Sequence, residues 1–219
     1  MIKRESFYVT VKRIPNTKWT PAPRECATLT FVNYSAFLLG GLNYDVSKDI
    51  AQLNLTRMGD SDYEQEQNQP KWKNVEYTTN DLNLGRCRHT SVTYDDKIFS
   101  FGGCFMFNKK RMIRECSKEM TIYNVALNSY QITRTKGVQV LARKDHHAAI
   151  FGKSMIIYGG QFENGQYSNE LLNFDLEYYD WSYLNFKQNV EPFSNGACAS
   201  VASVKSKGLT RLVSITLYL

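Results

Sequence analysis

No stretch of this 219-residue chain is apolar over the ~20 residues that a membrane-crossing helix needs. Its first residues, Met1-Ile2-Lys3-Arg4-Glu5-Ser6, carry charge with no apolar run behind it, so no secretory leader is expected. Histidine is scarce, with His89, His146 and His147 the only three. Cysteine is odd in number and scattered, at Cys26, Cys87, Cys104, Cys116 and Cys198. That spacing suits neither zinc nor the disulfide framework of a small secreted domain, and reduced, buried thiols are expected instead. The cytoplasm is the expected compartment, with the nucleus second. No segment sustains apolar residues at i, i+3, i+4 and i+7, which argues against helices. Ser-His-Asp, paired-carboxylate and phosphate-cradling patterns are all missing, so no enzyme and no catalytic residue is expected. The net charge of +6 comes from interleaved signs. With no recognition helix, zinc finger or aromatic RNA-binding signature, it does not point to specific nucleic acid.

What is present is a repeat. Arg24, Arg86 and Arg143 are each followed sixteen residues later by the first glycine of a pair, Gly40-Gly41, Gly102-Gly103 and Gly159-Gly160. Self-similarity at this period marks a repeat architecture. Between each arginine and its glycines lie two short apolar runs joined by a polar turn. Thr90-Ser91-Val92-Thr93-Tyr94 and Ile98-Phe99-Ser100-Phe101 flank Asp95-Asp96-Lys97 in the second unit. Such a pattern reads as a β-hairpin. The runs lack strict alternation, as strands buried on both faces do. A third strand follows a variable loop, as in Asn169 to Leu176. A fourth centres on an aromatic: Trp72, Tyr130 or Trp181. The class is all-β, and four twisted antiparallel strands per unit make one blade of a β-propeller.

Arg-x-x-His, an apolar hairpin, Gly-Gly, Asn-Glu-apolar and a trailing Trp together resemble the kelch repeat. The resemblance runs from Pro23 to Trp181. It divides the chain into a partial blade (1–22), three repeats (23–84, 85–141 and 142–191) and a second partial blade (192–219). Ala27 stands where the motif has histidine, and the third strand of the second unit is blurred around Glu119 to Tyr123. The partial blades could combine to close a four-bladed ring. Kelch propellers more usually have five to seven blades, so an incomplete array is expected slightly ahead of that ring. Its open strand edges would invite self-association.

Loops carry propeller function more often than strands do. The acidic segment Thr56 to Pro70 reads as a solvated insertion and lacks the ligand spacing of a calcium loop. Cys104 to Arg114 combines Phe105 and Phe107 with Lys109, Lys110 and Arg111. It leaves the blade on the side where Arg86, Arg88, Arg143 and Lys144 begin their units. Two readings stay open for it, a hairpin packed on its neighbour or part of a basic, aromatic face. The second makes the chain an interaction scaffold binding a protein or acidic peptide. The recurrent His89 and His146 are expected to pack and hydrogen-bond. Trp72 and Trp181 are expected between blades, and the glycine pairs in tight turns. Some relatives of kelch propellers are copper oxidases, which makes a copper-dependent enzyme the alternative. No cofactor or metal is expected on the leading reading.

Overall fold

The computed structural model describes residues 19–55, 70–81, 85–108, 113–185, 199–206 and 209–216. Within them the chain is all-β and builds three blades in succession, each with four antiparallel strands, the third joined by a short fifth strand in parallel. Blade one contains β1 (Thr28–Val32) and β2 (Ser35–Leu39), with a small hairpin, β3 (Leu42–Asn43) and β4 (Asp45–Val46), before β5 (Ile50–Asn54) and β6 (Trp72–Asn74). Blade two contains β7 (Thr90–Tyr94) and β8 (Lys97–Phe101), a side hairpin of β9 (Cys104–Asn108) and β10 (Ile113–Cys116), then β11 (Met120–Asn124) and β12 (Ser129–Thr133). Blade three is preceded by β13 (Lys136–Gly137) and contains β14 (His147–Phe151), β15 (Ser154–Tyr158), β16 (Leu171–Asp175) and β17 (Asp180–Tyr183). A last antiparallel hairpin, β18 (Ala199–Ser206) with β19 (Leu209–Thr216), lies with β18 against β14. Residues 19–24 form no strand.

The first strands β1, β7 and β14 stand side by side, and the chain between blades covers an edge. Lys136–Gly137 pairs in parallel with Asp180–Trp181 on the outer strand of blade three, and Thr78 does the same beside Ser129 in blade two. An outer strand so covered does not offer its backbone to another chain.

The missing alternation has a direct cause. In β8, Ile98 belongs to the core shared with blade one, and Phe99 and Phe101 belong to the core shared with blade three. The same division runs through β11, where Tyr123 joins the first core and Met120 and Ile122 the second. The blurred third strand is therefore a full strand whose two sides are both apolar. Phe101 meets Trp181 at 4.8 Å and Phe99 meets Phe174 at 6.4 Å between ring centroids, so blade two and blade three are stapled by aromatic contact. Burying each such ring contributes about 1.5–3 kcal/mol.

Trp181 is thus an inter-blade residue, although its buried Nε1–H finds no acceptor among the described residues. Trp72 differs, being only half-buried. Cross-strand register places it in the row Phe31–Ala36–Leu53–Trp72, which faces away from blade two. The corresponding row in blade three, Ile150–Met155–Phe174–Trp181, faces blade two. A fourth-strand aromatic therefore packs on the preceding blade, and the Phe31 of blade one is still 57% exposed on that side.

The second glycine of each pair closes against the start of its own blade. Gly103 has φ +81°, and a Cβ there would stand 2.5 Å from the Cys87 carbonyl oxygen and 2.8 Å from His89 Cβ. Gly165, with φ +85°, has nothing within 4 Å. Gly103→Ala should cost about 3 kcal/mol or more, from strain plus backbone overlap, whereas Gly165→Ala should cost about 1 kcal/mol from strain alone. Urea midpoints of the two variants measure that difference, and equal losses would contradict this packing.

Candidate functional site

The loop-bearing face of the blades is built around the repeated arginine. Arg24, Arg86 and Arg143 each donate from Nη1 to the carbonyl of the first glycine of their own pair, at 3.1, 3.3 and 3.2 Å. The antiparallel hairpin returns the chain beside its start, which is why the sixteen-residue spacing recurs. Arg24 also grips Asp49, and Arg143 grips Glu170 at 2.5 Å. Ser47 and Ser168 accept from the same guanidinium groups. In blade two the matching Ser117 receives the Glu119 N–H, but Arg86 takes the Glu119 backbone carbonyl rather than its carboxylate. This Ser-x-acid partner was a signal present in the sequence, at Ser47-Lys48-Asp49, Ser117-Lys118-Glu119 and Ser168-Asn169-Glu170. Its varying distance from the arginine hid it.

Each node then locks to the next blade. Gly41 and Gly103 donate their N–H to the carbonyls of Arg86 and Arg143, both at 2.8 Å. His89 Nε2 bonds Thr28 Oγ1 at 2.9 Å, and His146 Nε2 bonds Thr90 Oγ1 at 2.8 Å. Cys26, Arg88 and Asp145, two residues beyond each arginine, all hold positive φ. Their backbones run in file, with Arg88 N–H donating to the Cys26 carbonyl and Asp145 N–H to the Arg88 carbonyl, each at 3.0 Å.

These contacts redistribute the expected basic face. Arg86 and Arg143 are buried, at 1% and 0% exposure, so they belong to the scaffold and not to a partner-facing surface. The sequence counts them as exposed charge, but their hydrogen bonds to buried carbonyls hold them inside. Arg88 is at the surface and is paired with Asp145 at 2.8 Å. Lys144 is half-buried, and its backbone pairs with Gln161. Phe105 is half-buried at a bulge in the β9–β10 hairpin. Phe107 lies on β9, and Lys109, Lys110 and Arg111 lie outside the described residues, as does the acidic segment 56–69.

Three residues that sequence reasoning passed over reach this face from the loops between second and third strands. Tyr44, at the apex of the β3–β4 hairpin with φ +58°, is fully exposed. Tyr167 is 57% exposed, and Phe162 lies partly buried, 5.0 Å above the Arg143 guanidinium. The arrangement is a hydrogen-bonded platform that carries loop aromatics and a partly exposed ion pair. Among the described residues no three His, Cys, Asp or Glu side chains gather as a metal site.

Both repeated histidines are held neutral. Burial, reinforced by the neighbouring Arg143 charge, pushes the imidazole of His146 down to about 3, and burial with Arg86 lowers that of His89. Unfolding frees each to protonate near its ordinary value of 6.5. The unfolded chain then binds more protons below that pH, so stability is lost as pH falls. Between pH 6.5 and 5 the loss should approach about 1.4 kcal/mol per pH unit for His146, with His89 acting in the same direction. His146→Gln should flatten the slope by about one proton, as urea unfolding at stepped pH would measure.

Comparison with known proteins meets the same repeat. The KLHDC2/KLHL20/DRC7 Kelch-repeats domain matches residues 88–207. Kelch-like protein 15 of Homo sapiens is 24% identical over 187 residues, covering 81% of this chain and 30% of that protein. The Rho GTPase-activating protein gacHH of Dictyostelium discoideum is 24% identical over 169 residues, covering 73% of this chain and 10% of that protein. Host cell factor 1 of Homo sapiens is 26% identical over 119 residues, covering 54% and 6%. The chain therefore spans less than a third of the length of each of these relatives. The solved structure of YjhT superposes with a TM-score of 0.60 and 17% identity over 83% of this chain and 56% of that one, a likeness of fold alone. With a family model covering more than half of its length and three blades locked by Arg, His and Gly-Gly, the chain belongs to the kelch-repeat β-propeller family.

Proposed function

We propose that this chain is a protein-interaction domain whose loop-bearing face takes up a protein or peptide partner. The observation that carries this reading is the exposure of Tyr44 at the apex of one loop and of Tyr167 on the returning limb of another, where it bridges Gln161. A tyrosine presents large area with few rotors, and aromatic and arginine side chains dominate binding hot spots. Tyr44 also holds a left-handed backbone, a conformation costing a bulky residue about 1–3 kcal/mol and recurrent at ligand-binding positions. The scaffold side chains are occupied elsewhere, Arg143 with Glu170 and the histidines with threonines. What remains exposed is free to differ from blade to blade.

Relatives as different as a Rho GTPase-activating protein and a host cell factor match this chain over small parts of their length. That distribution suits a recognition module carried within larger proteins. The described part of the face is mixed in sign, since Arg88 sits beside Asp145. A preference for acidic partners accordingly rests on Lys109, Lys110 and Arg111, with Phe105 and Phe107 beside them, in an intracellular setting.

Two variant pairs test the face. Tyr44→Ala/Tyr167→Ala alters the loop side, and Tyr34→Ala/Tyr178→Ala alters the exposed tyrosines in turns at the opposite end of the blades. Partners captured from cell lysate by the parent chain should lose about tenfold or more in affinity with the first pair and none with the second, at unchanged melting temperature. Charge reversal at Lys109/Lys110/Arg111 should weaken the same partner in a salt-dependent way. A partner lost only with the second pair would move the site to the other face.

A further inference from the structure

Blade two carries chemistry that its neighbours lack. At the base of each second-to-third-strand loop, one residue of the incoming chain forms a reciprocal backbone bridge with the residue after the glycine pair. The three bridges are Glu25 with Leu42, Cys87 with Cys104, and Lys144 with Gln161. The fold therefore accepts quite different side chains here, and cysteine is not required by the ladder. In blade two alone a third cysteine joins, because β10 returns along β9 and a register shift after Glu115 sets Cys116 opposite Cys104. The bulge absorbs Phe105 as the additional residue, and such bulges re-aim side chains. Cys104 Sγ and Cys116 Sγ are 3.9 Å apart.

Access separates the three sulfurs. Cys87 and Cys104 are wholly buried, while Cys116 is 7% exposed. Cys116 lines a cleft of about 600 Å³, together with Phe105, Ser117, Lys118, Ile132 and Glu163. A small oxidant reaching that cleft meets Cys116 first, with Cys104 behind it.

We propose that Cys116 and Cys104 form a peroxide-responsive thiol pair that closes reversibly into a disulfide across the base of the β9–β10 hairpin. The Cys116 thiolate attacks one peroxide oxygen, so that an S–O bond forms, the O–O bond breaks, and the leaving hydroxide takes up a proton as water. The Cys104 sulfur then attacks the sulfenic sulfur of Cys116. The S–S bond forms as the S–O bond breaks, and the second hydroxide leaves as water with the Cys104 proton. Two electrons pass from the sulfur pair to one peroxide, and a dithiol reductant reverses the change. Electrostatics favour that order of attack. The Cys104 hydrogen bond and the nearby Lys144 charge lower the Cys116 thiol, whereas that same bond pushes the Cys104 thiol up to about 11. The thiolate is the nucleophile. Cross-strand neighbours meet the separation a disulfide needs with little backbone movement.

The test is peptide mapping of the whole chain after hydrogen peroxide, under non-reducing conditions. The expected result is loss of two hydrogens per chain, a Cys104–Cys116 cross-link, and its disappearance with dithiothreitol. Cys104→Ser should leave a sulfenic acid on Cys116 that dimedone traps, and Cys116→Ser should abolish both products. Should either variant fold poorly, the parent chain still decides through its map. A cross-link of Cys104 to Cys87, a first oxidation at Cys26, or no cross-link at peroxide levels that modify exposed thiols would overturn the proposal.

Discussion

Everything in this molecule hangs on the buried guanidinium that holds a glycine carbonyl. Arg143, with no exposure, gives Nη1 to the Gly159 carbonyl and to Ser168 Oγ, and Nη2 to Glu170. A guanidinium has five donors in a fixed fork, so one side chain can tie the start of a blade to the exit of its second strand and to the approach of its third. The cost of burying such a charge is met by good geometry and a carboxylate, and removing either partner would leave an uncompensated ion. Blade two shows a variation on that arrangement. Arg86 is equally buried but relies on the carbonyls of Gly102 and Glu119, and its Nε has no acceptor among the described residues.

From this node order spreads sideways. The arginine carbonyl receives the second glycine N–H of the preceding blade, and the histidine three residues on reaches the first-strand threonine of that blade. Hydroxyls continue the seam between blades one and two, with Thr28 on Ser91 and Thr30 on Thr93 at 2.7 Å. Between blades two and three the seam is apolar, built from Phe99, Phe101, Met155, Phe174 and Trp181. Both seams rest on apolar cores, the one between blades one and two being built from Phe37, Leu39, Ile50, Ile98 and Tyr123, and that seam adds the hydroxyl pairs to its core. Register and blade spacing, set by Arg, His and Gly-Gly, are common to both.

That division explains what was readable in the sequence. The fold was legible because its signals are local: sixteen residues separate arginine from glycine whatever the loops do, and the hairpin between them has nearly constant length. The Ser-x-acid partner was not legible, because loops of different length put Asp49, Glu119 and Glu170 at different distances from their arginines. Surface assignment failed at Arg86 and Arg143 for a related reason. Charge alone suggested exposure, and only the three-dimensional return of the chain supplies the carbonyls that make burial tolerable. Trp72 and Trp181 share a sequence position, yet only the register of the strands shows that this position looks toward the preceding blade.

Positions that repeat are consumed by the scaffold, and positions that do not repeat are where chemistry can vary. Tyr44, Phe105 and Tyr167 occupy loops of three different constructions, a tight hairpin, a bulged side hairpin and an irregular turn. The ladder at the base of those loops illustrates the same freedom at one atom's remove. Its backbone bonds are the same in all three blades, at 2.8–3.0 Å, whether the residues are Glu and Leu, Cys and Cys, or Lys and Gln. A site whose backbone is fixed and whose side chains are unconstrained is well placed to gain a function without disturbing the fold. In blade two, the bulge that spends Phe105 to bring Cys116 over Cys104 has no counterpart needed by the repeat. The proposed thiol pair would give that bulge a role which the sheet itself does not require.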